Sequence, residues 1–314
     1  MKNFYALEEG AAVPADAARG SIVVFVAPDD NERAELTNNL GFDARDLESA
    51  LDPDEISRID FAPDMMSLIW KRPKNVTIGE QLRFDVGSMG LLLHQNKLVV
   101  VTDDPTLSLA GRAFQGIQSP IDALLRLLRH TVHHYLGHLK AIKHITVELG
   151  DKLSSSMENR YFLQMFALGE SLIYYINAID ANGAVLAKLR ANAERLGFSV
   201  AQLESLADLI LDNQQCSRQA QIYSSVLSGL MDARGTIINN NVSLLLKNLT
   251  LITVIFLPLN LVASIGGMSE FTMMTDGIDW RMSYSLVVVG MVVVGWTSFR
   301  ALVRFFDHRQ ARRR

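Results

Sequence analysis

Cysteine, phosphate-binding loops and early apolar runs are what this chain lacks, and each absence excludes something. A single cysteine, Cys216, stands among 314 residues; that excludes an internal disulfide framework, and its place in a helical pattern points to packing in a reducing compartment. There is no Walker-type phosphate loop, no GxGxxG after a strand and no nucleophile elbow, so ATP-driven pumping and hydrolysis have no motif and no enzyme activity is expected. Met1 to Glu9 carries no basic segment followed by a long apolar run, which gives the expectation of no cleavable signal peptide. Before Lys247 no charge-free apolar stretch reaches membrane-spanning length, so this part is expected to be a soluble cytoplasmic region. Hydrophobic residues make up 49% and charged residues 20%, the composition of a folded chain of two or three domains.

What is present is concentrated near the end. Two stretches free of charge, Asn248 to Ser269 and Met282 to Phe299, reach about 33 and 27 Å at roughly 1.5 Å per residue, close to the roughly 30 Å of a hydrocarbon core. They read as a transmembrane hairpin joined by a short acidic loop starting at Glu270. That loop sets Glu270, Asp276 and Asp279 against Arg281, whereas Arg300, Arg304, Arg309, Arg312, Arg313 and Arg314 face only Asp307 after the second stretch. By the positive-inside rule both termini lie in the cytoplasm, and the basic tail attracts anionic lipid headgroups rather than nucleic acid. Residues 248–314 carry a net charge of +3 while the whole chain carries −4, so the part before them is mildly acidic.

The first part reads α/β. Ile22 to Ala27 is a buried strand bounded by Gly20 and Pro28; Asp29 to Asn39 and Asp43 to Asp60 show helical spacing, with Asp52-Pro53-Asp54-Glu55 suited to a capped first turn. Met65 to Trp70, Arg83 to His94 and Leu98 to Thr102 read as strands, the last two hinged at Gln95-Asn96. From Ile121 helical patterns take over, with breaks near Ser154 to Ser156, Asn182-Gly183 and Gly197. Ser199 and Gln202 offer a capping box for a final helix that meets no proline until Pro258. Such a helix, about 65 residues and roughly 100 Å long, is a stalk running into the membrane. The organisation expected is a cytoplasmic α/β domain (1–118), a long-helix and stalk region (119–247) and a two-helix transmembrane region with a basic tail (248–314).

Within that helix, Ser243, Leu246, Thr250, Thr253, Leu257, Asn260 and Ser264 follow alternating steps of three and four, the seam of a bundled helix. Most of the seam is polar, which in lipid requires other helices or water beside it. Interhelical hydrogen bonding and the lining of a conduit both fit, and a ring-shaped homo-oligomer satisfies either. Gly290 and Gly295 would let the second membrane helix approach the first closely.

The segments Lys247-Asn248-Leu249-Thr250-Leu251-Ile252, Ile255-Phe256-Leu257-Pro258-Leu259 and Ile265-Gly266-Gly267-Met268 resemble the first transmembrane helix of CorA-type divalent-cation transporters. The resemblance extends to the acidic loop, the second helix, the basic tail and, in outline, the α/β domain with its stalk. It implies a homopentameric funnel whose first transmembrane helices line a central pore, carrying Mg²⁺ foremost, or Zn²⁺, Co²⁺ or Ni²⁺. Where the family has Gly-Met-Asn, this chain has Gly267-Met268-Ser269. The serine still offers an oxygen, but its ring would be wider; Gly266 replaces an aromatic at the same mouth.

Along the implied pore, Thr250, Thr253, Asn260 and Ser264 supply neutral oxygens, and Leu246 and Leu257 make apolar constrictions. On the stalk, Asp232 is either an acidic ring at the cytoplasmic mouth or a solvated acid. Asp208 and Asp212 lie one turn apart, where similar family members hold regulatory divalent ions. His130, His134 and His138 share a helical face and either form a transition-metal site or sit incidentally on a partly exposed helix. The reading is gradient-driven transport of divalent cations, Mg²⁺ first, across the cytoplasmic (inner) membrane by a homopentamer with metal ions and lipid as its partners. A poorly selective cation channel and a nonconducting membrane-anchored metal sensor or scaffold are the alternatives.

Overall fold

The computed structural model describes residues 1–63, 65–78, 82–107, 109, 114–155 and 159–311. Its contacts divide the chain into two units, Met1–Met231 and Asp232–Arg314.

The first unit begins with β1 (Lys2–Glu8), β2 (Ala11–Pro14) and β3 (Ile22–Val26), followed by α1 (Asp30–Asn38) and α2 (Ala44–Leu51). Then come β4 (Arg58–Phe61), β5 (Met65–Pro73), β6 (Thr77–Ile78), β7 (Leu82–Arg83), β8 (Val86–His94) and β9 (Lys97–Thr102). Seven strands form one sheet in the order β2-β1-β3-β9-β8-β5-β4, and β6 pairs with β7. All its ladders are antiparallel except β3 with β9, which is parallel.

Both faces of this sheet are covered, which is why β3 is apolar at every position. Ile22, Val24 and Val26 point to one core, and Val23 and Phe25 to the other, as the period of two requires. The smaller core lies under α1 and α2, with Leu36, Phe42, Leu47 and Ala50. Gly90 in β8 makes room for it: a Cβ there would stand 2.6 Å from the Ala50 Cβ. The larger core lies under α3 (Pro120–Ser155), α4 (Asn159–Ala191) and the first part of α5 (Val200–Gly266).

Local signals place several boundaries. Asp29 caps α1 in a complete capping box with Glu32. Gln95 and Asn96 both take positive φ, 45° and 64°, the backbone a two-residue hairpin between right-twisted strands needs. Ser199 and Gln202 form the expected box at the start of α5, with Gln202 N donating to Ser199 Oγ at 3.3 Å and Ser199 N to Gln202 Oε1 at 2.9 Å.

Three expectations are corrected. The helix from Asp43 ends at Leu51 instead of continuing to Asp60. Asp52 is extended (ψ 117°), as a residue before proline prefers, and its carboxylate accepts from Asp54 N at 2.9 Å, so the acidic cluster makes a stop and an Asx turn rather than a helix start. Arg58–Phe61 is then an edge strand. Asn182-Gly183 does not break α4 either, because Asn182, 0% exposed, is held in place from outside the helix. Its Oδ1 accepts from Ser57 Oγ (2.7 Å) and Lys71 N (3.1 Å), and its Nδ2 donates to Lys71 O (2.8 Å). The expected break at Ser154 to Ser156 matches the end of α3 at Ser155; Ser156 itself lies outside the described residues.

In the second unit, α5 continues to Gly266, and α6 (Ser269–Met274) and α7 (Trp280–Ala311) follow. The connecting segment expected as a loop is thus part helix, since nothing from Ser269 to Asp276 is Gly or Pro. Gly277, at φ 99°, turns the chain, and Asp279 opens α7 by accepting from Arg281 N at 3.1 Å. Arg312, Arg313 and Arg314 lie outside the described residues.

The Asn182 clamp joins α4 to β5 with buried polar atoms, so its loss leaves three of them unpaired. Asn182→Ala is expected to cost about 3 kcal/mol, measured as the loss of stability of the detergent-solubilised chain in denaturant. A loss under about 1 kcal/mol would mean that water replaces the amide without penalty.

Candidate functional site

Among the described residues, three helices are long and apolar enough to cross a membrane: Asn159–Ala191, and the spans within Val200–Gly266 and Trp280–Arg300. The apolar side chains of α4 are spent on the larger core, where Met165, Leu168, Leu172, Tyr175 and Ile179 are buried. The apolar windows of α5 and α7 are not buried at all, so only these two need a membrane to cover them.

α5 and α7 pack through glycines. A Cβ on Gly266 would touch Val287 at 3.4 Å, and one on Gly295 would touch Leu259 at 3.6 Å, close approaches that only small residues allow. Gly290, the other glycine expected to help, has open space before it. The half-buried positions of α5 in this region, Leu251, Ile255, Pro258, Leu259, Val262 and Gly266, form the face that α7 covers.

The polar seam is on the other side. At roughly 100° per residue the face bearing Leu246, Thr250, Thr253, Leu257, Asn260 and Ser264 stands about 180° from the α7 face. All six are exposed in the single chain, as is Ser243.

The seam also extends further than the sequence reading took it. Asn239, Thr236 and Asp232 continue the same alternation of steps, and all three are exposed. The stripe from Asp232 to Ser264 is about 48 Å long at roughly 1.5 Å per residue. Thr236 and Asn239 carried no contrast in the sequence, because polar residues are ordinary outside an apolar stretch; only the register of the continuous helix singles them out.

Along the stripe the hydroxyls share one hydrogen-bonding habit. Four of them donate to the carbonyl one turn back: Thr236 to Asp232 O (3.0 Å), Ser243 to Asn239 O (2.8 Å), Thr250 to Leu246 O (2.8 Å) and Thr253 to Leu249 O (2.9 Å). A hydroxyl whose proton is committed to its own helix presents lone pairs to whatever faces it. Pro258 adds to this, since it has no N–H to donate to the carbonyl of Val254. Beyond Asp232 the stripe is a row of neutral acceptors interrupted by Leu246 and Leu257.

At the end of α5, Gly267 N donates to Ala263 O at 3.1 Å and Met268 N to Ile265 O at 3.2 Å. Ser269 is exposed and starts α6, and Met268 is exposed beside it.

The remaining candidates belong to the first unit. Asp208 and Asp212 do lie one turn apart on α5, and the Asp208 carboxylate stands 3.9 Å from Arg129. His130, His134 and His138 do share a face of α3. Among the described residues, however, no group of three or more His, Cys, Asp or Glu is placed to hold a metal. Instead the imidazoles pack: His134 meets His138 edge-on at 4.4 Å between ring centres, and Phe84 and Phe114 flank His138 and His130. Tyr175 Oη lies 2.6 Å from His138 Nδ1. Burial lowers the proton affinity of all three, with neighbouring imidazoles adding to it, and pushes His138 down to about 4.

These imidazoles therefore fold neutral and unfold basic. The unfolded chain binds the additional protons, so stability is unaffected above the usual histidine value of 6.5 and falls as pH drops from there through about 4. His138→Gln, which keeps a hydrogen-bonding side chain and cannot titrate, is expected to flatten that fall in thermal melts taken from neutral to acid pH. An unchanged profile would assign the acid sensitivity to other groups.

Comparison with known proteins places this geometry. A family model described as "CorA-like Mg2+ transporter protein" matches residues 19–304. The chain is 25% identical over 283 residues to the cobalt/magnesium transport protein CorA of Methanocaldococcus jannaschii, covering 85% of this chain and 86% of that protein. In fold it is similar to the complete structure of the CorA magnesium transporter from the same organism, with a TM-score of 0.73 at 20% identity, covering 98% of this chain and 96% of that one. The full-length CmaX protein gives a TM-score of 0.71 at 12% identity, with 96% of each chain covered. The ZntB cytoplasmic domain from Vibrio parahaemolyticus gives 0.58 at 12% identity, covering 76% of this chain and 98% of that one.

Proposed function

The chain belongs to the CorA-like Mg²⁺ transporter family, a family of divalent-cation transporters, and we propose that it moves Mg²⁺ down its electrochemical gradient through a homopentameric pore lined by α5. The observation that carries this reading is the polar stripe set opposite the face covered by α7. A stripe of seryl, threonyl and asparaginyl oxygens facing acyl chains is unfavourable. Several copies of α5 around an axis turn those oxygens toward one another and toward water.

The chemistry of the stripe suits a hydrated hard cation. Mg²⁺ sheds water reluctantly and is held mainly through its waters. Rings of neutral acceptors from Ser243, Thr250, Thr253, Asn260 and Ser264 receive the protons of those waters without a buried carboxylate. Leu246 and Leu257 narrow the path to apolar girdles that close by dewetting. Ser269, beside Gly267 and Met268, forms the outer mouth, and five copies of Asp232 concentrate cations at the inner one. Asp208 and Asp212 act as a regulatory pair only across a contact with another copy, where the partner supplies further ligands.

The reading puts the protein in the cytoplasmic membrane with both termini inside. Arg300 and Arg304 follow the second span, while Asp276 and Asp279 lie between the two.

Reconstituted in vesicles, the protein is expected to admit Mg²⁺ at a rate raised by an interior-negative potential, read with an entrapped indicator. No flux above protein-free vesicles for Mg²⁺, Zn²⁺, Co²⁺ or Ni²⁺ would overturn transport and leave a nonconducting sensor. Ser269→Asn, which restores the family's longer amide, is expected to shift the preference for Mg²⁺ over Na⁺ by about tenfold, the worth of roughly 1.4 kcal/mol, with assembly unchanged. Reversal potentials in planar bilayers measure that ratio. A wild-type ratio near one would instead favour a poorly selective channel.

A further inference from the structure

A buried lysine in the first unit has no counter-ion in contact among the described residues and lines a cavity. Lys71, in the middle of β5, is 7% exposed. Its Nζ donates to Pro53 O at 2.5 Å and Ser88 Oγ at 3.1 Å, and Ser88 in turn donates to Asp52 O. An ammonium has three protons, and these contacts use two.

The same residue lines a cavity of about 440 Å³, within the usual size of small-molecule sites. Its walls are otherwise apolar at Pro53, Val86, Ala178 and Ala181, with Ile56 and Tyr174 at the rim, and polar at Asn177 and at two carboxylates, Asp54 and Glu55. Ile56 and Tyr174 are 69% and 54% exposed, more apolar surface than the neighbouring turn requires. The carboxylates nearby do not neutralise the ammonium by contact. Glu55 is bonded to Arg58 and Ser49, and Asp54 is exposed to solvent, where water screens it. Burial accordingly lowers the proton affinity of Lys71, against the weaker opposing pull of Asp52, Asp54 and Glu55.

We propose that this cavity is a binding site for a small amphipathic carboxylate, whose acid group meets the free proton of Lys71 and the side chain of Asn177 while a flat apolar body lies between Val86, Ala178 and the Tyr174 ring. A buried charge with an unused donor gains most from an anionic acceptor that arrives with its own apolar cover. A cation would meet the Lys71 charge at the floor. A fully apolar molecule would leave the donor unused. The site is independent of the pore and rests on the first unit alone.

The test uses the full chain in detergent and three probes of one shape: 1-naphthoate, 1-naphthalenemethanol and 1-naphthylmethylammonium. Calorimetry is expected to show 1-naphthoate binding at least about tenfold more tightly than the alcohol, the scale of one charge-assisted hydrogen bond, and no binding of the ammonium. Lys71→Met, which keeps length and apolar stem, is expected to bring naphthoate down to the level of the alcohol. Ala181→Leu, at the wall and away from the lysine contacts, is expected to weaken both by filling the space, with the melting temperature unchanged. Equal affinity of naphthoate and alcohol for the unaltered chain, no binding of either, or naphthoate affinity untouched by both substitutions would each overturn the proposal.

Discussion

The constraint on which everything else depends is that α5 carries oxygen atoms along a face that none of the described residues covers. α7 takes one side of the helix through Gly266 and Gly295, and the stripe from Asp232 to Ser264 stands on the other. In a hydrocarbon medium, backbone and side-chain polar groups must find partners or water. Four hydroxyls, those of Thr236, Ser243, Thr250 and Thr253, answer half of that demand within the helix by giving their protons to the preceding turn. What is left over is acceptor capacity, all on one line and, beyond Asp232, all uncharged. A helix built this way is incomplete as a lone span, and what completes it must bring donors; water around a cation does so.

The soluble unit obeys a different demand, the covering of a sheet on both faces. Strands β3 and β9 send alternate residues into two cores, one under α1 and α2 and one under α3, α4 and α5. Covering both faces consumes apolar surface from every helix of the unit, including α4, whose sequence alone is apolar enough to span a membrane. Burial decides between these fates. A helix whose apolar side chains interlock with a sheet has nothing left to offer lipid, and a helix with none of them buried has nowhere else to go.

The legible parts of the sequence were those where a local rule and the tertiary structure agree. Gln95-Asn96 reads as a hairpin and folds as one, and the Ser199-Gln202 box starts its helix, because turn and cap chemistry act within a few residues. The Asp52-Pro53-Asp54-Glu55 cluster failed because a carboxylate beside exposed N–H groups serves a helix start and an Asx turn equally well. Asn182-Gly183 failed because long-range hydrogen bonds to Ser57 and Lys71 outweigh a weak local propensity. Edge strands β2 and β4 carry little strand signal because an edge tolerates charge and needs few buried residues; β4 buries only Ile59. In the candidate pore, the seam was visible from Ser243 onward and lost before it. The histidines share a face as expected, and they pack against Phe84, Phe114 and Tyr175, long-range contacts that no local pattern announces.

An uncharged lining has a consequence for which ions such a path favours. Thiolate or imidazole ligands would bind a divalent ion strongly and tend toward the Irving–Williams order, favouring Zn²⁺ or Ni²⁺ over Mg²⁺. Hydroxyl and amide oxygens do neither, and they cannot replace the inner hydration shell of Mg²⁺ at an acceptable cost. They can accept from its bound waters, whose protons the central charge makes strong donors. Selection by such a lining works on the hydrated ion, through the width of each ring and the reach of its oxygens. In the proposed pore, Ser269 in place of a long amide therefore bears on discrimination more than on entry, since shortening a side chain widens a ring without removing its acceptor.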